Sequence, residues 1–177
     1  MKSYDLLIVG GGIAGSALAV VMAKAGRSVL VLEQSEAFED RVRGEWIAPW
    51  GVAEVRRVGL YDLLMEAGGH HITHHATFDE TWDAAKAEAE AMPLGFFHEG
   101  VPGPLCLGHP KHCQTLFDAA AAAGAETLRG VRVIEVEAGV SPRVMFEHQG
   151  QVREARGRLL VGADGRTSMV REAAGIA

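Results

Sequence analysis

Lysine is scarce in this chain. There are four among 177 residues, the thirteen arginines are scattered, and the net charge is −6. A duplex nucleic-acid surface needs clustered cations against its phosphates, so the composition argues against that class of partner, while the negative balance favours solubility. Cysteine is scarcer still. Cys106 and Cys113 form neither a disulfide framework nor a zinc spacing, and reduced thiols in a cytoplasmic protein are expected. There is no internal repeat and no low-complexity linker. A membrane span is lacking too. Leu6 to Ala23 runs eighteen residues without a charge, with Lys2 before it and Lys24 after it, and imitates a signal peptide. Gly10, Gly11, Gly12 and Gly15 interrupt that run, which divides into a β-rich half and an Ala-rich half. It reads as a buried strand followed by a buried helix, with no export.

What is present is ordinary globular composition, 48% apolar and 23% charged. The length suits one domain, or one with a small appendage, burying roughly 70% of its unfolded surface. Residues 4–9 are a nearly continuous apolar run, as for a strand covered on both faces. Residues 13–25 carry apolar side chains at helical spacing, closed by Gly26, and residues 28–32 form a second buried strand ending at Glu33. Strand, glycine turn, helix and strand in about thirty residues make a βαβ unit. Residues 49–67 are helical in pattern with a break at Gly59, and Pro49 suits a first turn. Residues 72–79 are a candidate strand, 81–91 a helix by composition, 95–104 a loop and 110–124 a strong helix. Strands are expected at 131–137, 143–148, 151–156 and 158–161, with a hairpin turn at 148–151, so this block reads as an antiparallel meander returning to a final buried strand. A last helix starts at about Thr167.

Two motifs carry chemistry. Gly10-Gly11-Gly12-Ile13-Ala14-Gly15 fits G-x-G-x-x-G between a strand and a helix. Gly10 permits the tight turn, Gly12 a close approach of pyrophosphate to backbone, and Gly15 the close packing of helix on strand. Phosphates then meet the unpaired N–H groups at the helix start. Glu33 stands where an acidic side chain accepts from a ribose hydroxyl. A merely structural glycine turn leaves that acid unexplained, but the fingerprint does not decide between FAD and NAD. The second motif, "LLVGADG", is a buried strand ending in Asp164 and Gly165, followed by Arg166, Ser168 and Arg171. Asp164 can reach ligand hydroxyls at the same crevice, or can simply precede a capped helix.

Together these stretches resemble the class A, p-hydroxybenzoate-hydroxylase-like flavoprotein monooxygenases over essentially the whole chain. The "VGGGIAGSALA" start with Glu33 is similar to the family's site for the AMP half of FAD. "RVRGEWIAPWG" resembles the stretch whose Arg-x-Arg pair contacts FAD, which makes Arg41 and Arg43 candidates, Arg43 the better one. "GADGRTSMVREAAGI" is similar to the family's DG motif, matched here by Asp164, Gly165, Ser168 and Arg171. The helix starting "HPKHC" corresponds to one that usually opens with Arg or Gln touching FAD. His109 stands there, a departure, since an imidazole cannot supply a bidentate guanidinium contact.

The resemblance implies an α/β, Rossmann-like FAD-binding domain with a mostly parallel sheet, an antiparallel meander and an incomplete substrate-side sheet. Residues 1–177 would be the FAD-binding part, with about 68–108 starting a substrate-side subdomain and 109–177 returning to the FAD-binding fold. It implies NAD(P)H as reductant, a small-molecule substrate and hydroxylation with oxygen. The family's Gly-Asp motif and later strands would follow Ala177, so the chain by itself is expected to be inactive and to expose apolar surface that favours association. Two other readings stay open, a flavin reductase of the geranylgeranyl-reductase-like group and a non-catalytic FAD-binding fragment. The Trp-rich motif and catalytic lysine of flavin-dependent halogenases are not found. "HHITHH" (His70, His71, His74, His75) invites a metal, but strand neighbours point to opposite faces and no nearby ligand completes a site, so solvated or half-buried histidines are preferred. Trp46, Trp50 and Trp82 could line a pocket, although tryptophans in a core or interface are commoner.

Overall fold

The computed structural model describes residues 2–40, 46–78, 80–81 and 83–176. The chain begins with β1 (Lys2–Val9), α1 (Ile13–Lys24), β2 (Val29–Leu32) and β3 (Trp46–Ile47). Next come α2 (Pro49–Arg57), α3 (Tyr61–Glu66), β4 (His70–His71), β5 (His74–His75), α4 (Ala84–Ala89) and β6 (Met92–Pro93). A 3₁₀ turn at Gly95–Phe97 leads to β7 (Leu105–Cys106) and α5 (His109–Ala122). The chain closes with β8 (Glu126–Leu128), β9 (Arg132–Glu137), β10 (Arg143–His148), β11 (Gln151–Gly162) and α6 (Met169–Ala173). No helix among the described residues is long and apolar enough to cross a membrane.

Two compact units form, residues 1–40 with 110–177, and residues 41–109. The first is built on a six-stranded sheet in the order β8-β2-β1-β11-β10-β9. β8, β2, β1 and β11 run parallel, while β11, β10 and β9 form an antiparallel meander. Successive side chains of a strand point to opposite faces. Leu7, Val9, Leu30 and Leu32 accordingly join Val144, Phe146, Ala155 and Val170 in one buried cluster. Leu6, Ile8, Val29 and Val31 are buried as well and belong to the opposite face, where α1 packs across β1 and β2 with Ala19, Val20 and Ala23 buried. Burial on both faces explains why these strands read as continuous apolar runs.

Two differences from the sequence reading concern this sheet. The segments expected at 151–156 and 158–161 are one strand, β11, which pairs with β10 through Gln151–Arg156 and with β1 through Ala155–Gly162. Gly157 is no break. A Cβ there would lie 2.8 Å from Leu7 Cγ, so the glycine serves a close strand-to-side-chain approach. β8, three residues long, was not anticipated, because its parallel pairing with β2 leaves no local pattern.

At the far end of β1, the Tyr4 hydroxyl donates to Glu126 at 2.8 Å, and Lys2 pairs with the same carboxylate. Burial first, and then this hydrogen bond, push the Tyr4 phenol up to about 12. The folded chain holds this proton more tightly than the unfolded one. The stabilisation is therefore complete below the ordinary phenol value of about 10 and lost as pH rises further. An ultraviolet titration is expected to show a tyrosinate component rising only near pH 12.

In the second unit, β3-β7-β4 form a small antiparallel sheet and β5-β6 a two-stranded ribbon. The helical pattern at 49–67 is two helices, α2 and α3, divided around Gly59, with Val52, Leu60 and Leu64 buried. Among the described residues of the expected strand at 72–79, only His74–His75 pair as a strand. The backbone pairs at His70–His71 and again at His74–His75. The helix expected at 81–91 is α4, whose Asp83 cap accepts from Lys86 N at 2.8 Å. Gly103 O can only accept, so His71 Nδ1–H donates to it at 2.8 Å, and His71 Nε2 shares a hydrogen bond of 2.9 Å with the Tyr61 hydroxyl. His70, His74 and His75 are exposed, and among the described residues no group of three or more His, Cys, Asp or Glu could hold a metal ion. Trp46 and Trp50 are exposed, and Trp82 lies outside the described residues.

Candidate functional site

The carboxyl ends of three adjacent parallel strands meet at the centre of the sheet. β1 ends at Val9, β2 at Leu32 and β11 at Gly162. Open α/β sheets bind ligands outside such ends. The turn after β1 is tied to both neighbours. Gly10 N donates to Leu32 O at 2.8 Å, and Ala163 N donates to Val9 O at 2.7 Å. Gly10 has φ +101°, a conformation that side chains rarely adopt, and a Cβ on it would lie 2.2 Å from Ala163 O. The two motifs singled out by sequence are thus packed backbone against backbone.

α1 starts directly from this turn. Gly12 is its N-cap, no side chain caps it, and its first turn carries no acid. Its leading N–H groups, with the positive end of the helix dipole, present donors to an anion. Gly12 itself has φ −69°, which any residue tolerates, and a Cβ on it would meet nothing within 4 Å. Its glycine is required by no protein neighbour. Ile13 and Ala14 are exposed, whereas Gly15 is buried and touches the turn. Ser16 is buried, and its hydroxyl donates to Gly11 O at 2.7 Å.

Glu33 follows β2 and is 8% exposed. One carboxylate oxygen accepts from Gly11 N at 2.6 Å and the other from Ser35 N at 2.8 Å. Two backbone donors satisfy part of a carboxylate that can accept about four hydrogen bonds, and they fix its plane. The remaining acceptor capacity suits a hydroxyl donor. A buried acid, an uncapped helix start and a glycine with open space on its Cβ side together fit the ribose and pyrophosphate of an adenine dinucleotide.

Asp164 does what the simpler reading of its turn requires. Ser168 Oγ donates to one carboxylate oxygen, Val170 N reaches the other at 3.3 Å, and Ser168 Oγ accepts from Arg171 N at 3.0 Å. The acid and Ser168 together cap α6. Gly165, at φ +86°, is exposed. His109 is the first residue of α5. Arg41 and Arg43 lie outside the described residues.

Three contributors escaped the sequence reading. Ser16 locks the turn, Ser35 supplies a donor to Glu33, and Phe117 of α5 stands against Gly11, whose added Cβ would lie 2.7 Å from the ring. Phe117 belongs to the buried helical stripe Cys113, Leu116, Phe117 and Ala120, but a stripe does not say which residue it touches.

Known proteins share this fold. A family model described as FAD binding domain matches residues 3–177. Squalene monooxygenase of Rattus norvegicus is 29% identical over 172 residues, which cover 95% of this chain and 30% of that protein. Squalene monooxygenase SE2 of Panax ginseng is 37% identical over 102 residues, 58% of this chain and 18% of that one. The chain therefore spans less than a third of the length of these curated relatives. Among solved structures, p-nitrophenol 4-monooxygenase PnpA from Pseudomonas putida DLL-E4 has the same fold, with a TM-score of 0.81 at 20% identity over 99% of this chain and 44% of that one. CabE, an aromatic hydroxylase from angucycline biosynthesis, gives a TM-score of 0.74 at 28% identity over 97% of this chain and 33% of that one. With the family model covering nearly every residue, the chain belongs to the FAD binding domain family.

Proposed function

We propose that this chain is the FAD-binding part of an NAD(P)H-dependent flavoprotein monooxygenase acting on a small organic substrate. The observation that carries it is Glu33, a buried carboxylate anchored by Gly11 N and Ser35 N beside the uncapped start of α1. Glu33 accepts from the ribose hydroxyls of the AMP half. Gly11, Gly12, Ile13, Ala14 and Gly15 supply the backbone at which the pyrophosphate sits. When bound, FAD supplies the redox chemistry by which a reduced flavin activates oxygen. The chain's own residues bind and orient.

Asp164 keeps acceptor capacity beyond its two bonds to the start of α6, and it takes a hydroxyl of the flavin-side chain while Gly165 follows in the turn. Arg41, Arg43 and His109 are carried into the site by the family resemblance. Residues 68–108 begin the substrate side. The names of the relatives, squalene monooxygenase and aromatic hydroxylase, support an apolar or aromatic substrate class.

Titration of the flavin-free chain with FAD tests the reading. Glu33→Gln keeps the size and removes the charge, and because its NH2 must face Gly11 N or Ser35 N, an unfolding midpoint is measured beside the titration. It is expected to weaken FAD about tenfold, the worth of one charge-assisted hydrogen bond. An unchanged dissociation constant would remove Glu33 from the site.

A further inference from the structure

Glu33 is held by more than its two side-chain bonds. Its own N–H donates to Leu128 O at 2.9 Å, and its carbonyl accepts from Val131 N at 3.0 Å. The loop after β2 and the loop after β8 therefore touch at the acid. Gly130, at φ +63°, lets the second loop come close, since a Cβ there would lie 3.2 Å from Glu36 Cγ. Between these two backbone bonds, in sequence, stands Arg129.

Arg129 ties its own loop to two others, the segment after β2 and α5. One guanidinium nitrogen donates to Glu36 O at 3.0 Å, and the other terminal nitrogen donates to Gln114 Oε1 at 2.8 Å. Gln114 is oriented for this by its own amide, which donates to Asp118 at 2.6 Å. The guanidinium carbon lies 4.1 Å from the Phe38 ring centre and 4.5 Å from that of Phe117. The two rings meet edge to face, with centroids 6.0 Å apart. Phe117 in turn stands against Gly11, the donor to Glu33. A flat cation that stacks on two rings while its fork reaches two acceptors is a task for arginine and not for lysine.

We infer that Arg129 is a positioning residue for the AMP half of the dinucleotide, acting through Glu33 and Gly11. It fixes the loop that follows the acid and the ring behind the glycine, so the carboxylate is preset for two vicinal ribose hydroxyls. Preorganisation of this kind raises affinity without adding a contact. The inference rests on the role proposed for Glu33.

The test uses two probes, ADP and 2′,3′-dideoxy-ADP, titrated calorimetrically into the flavin-free chain. The unaltered protein is expected to prefer ADP by about tenfold, through the hydroxyls alone. Arg129→Gln should reduce that preference to about twofold while leaving the dideoxy compound unchanged. Arg129→Lys should lose it too, because the fork and the stacking go even though the charge remains. In a Glu33→Gln background, Arg129→Gln should add nothing. If the unaltered chain shows no preference, the role of Glu33 falls and this inference with it. If the preference is present but survives Arg129→Gln, or if both ligands weaken equally as loss of general stability would produce, the positioning role alone is overturned. Should Arg129→Gln not fold, Arg129→Lys and Phe38→Leu put the same question.

Discussion

Gly15→Ala is expected to lower the unfolding free energy by about 2–4 kcal/mol, among the larger effects of a single methyl group. A Cβ on Gly15 would lie 1.9 Å from Gly10 O, with Gly10 C and Ile8 Cγ2 both at 3.1 Å. The obstacle is backbone, so no rotamer change can relieve it. Either α1 moves away from β1 or the turn at Gly10 opens. Helix propensity works the other way, favouring alanine over glycine by about 1 kcal/mol, and is too small to win. Opening the turn would also disturb Gly10 N to Leu32 O and Ala163 N to Val9 O, the two bonds that join the motifs to the sheet. Urea unfolding should show a lower midpoint with an unchanged slope. A midpoint equal to that of the unaltered chain would mean that helix and strand are not in this contact.

The contrast between the two halves of the site shows how far local pattern reaches. The β1–α1–β2 unit is legible because each signal is local: continuous apolar strands, helical spacing, and glycines at fixed offsets. Glu33 could be named from its place at the end of β2. What could not be read is what lies across the fold from it. Phe117 is 84 positions beyond Glu33 and Arg129 is 96, as their numbers give, and neither belongs to a motif. Asp164 was legible as a residue but not in its bonding, because the same turn serves a ligand or a helix cap. Here the cap at α6 is made, by Asp164 and Ser168 together. Gly157 misled for a related reason. In sequence an isolated glycine suggests the end of a strand, and packing against Leu7 is what decides that β11 continues through it. The short strands of the second unit, two residues each, are too brief for periodicity to register.

Gly12→Ala should do the reverse of Gly15→Ala. The backbone at Gly12 is already in a conformation open to alanine, at φ −69°, and nothing of the protein lies within 4 Å of the added carbon. Stability should fall by no more than about 1 kcal/mol, most of it the penalty of alanine in place of glycine at an N-cap. Binding should change far more. If the pyrophosphate of FAD rests on the N–H groups at the start of α1, the new methyl group stands between them. The loss expected is on the order of a hundredfold in the FAD dissociation constant, equivalent to about 2.7 kcal/mol. Fluorescence titration beside urea unfolding separates the two quantities. A variant that binds FAD as well as the unaltered chain would place the phosphates elsewhere, and the open space at Gly12 would need another explanation. A variant that loses binding while its unfolding midpoint falls only slightly would show that residues 10–15 hold glycines required by the fold, Gly10 and Gly15, beside one required by the ligand, Gly12.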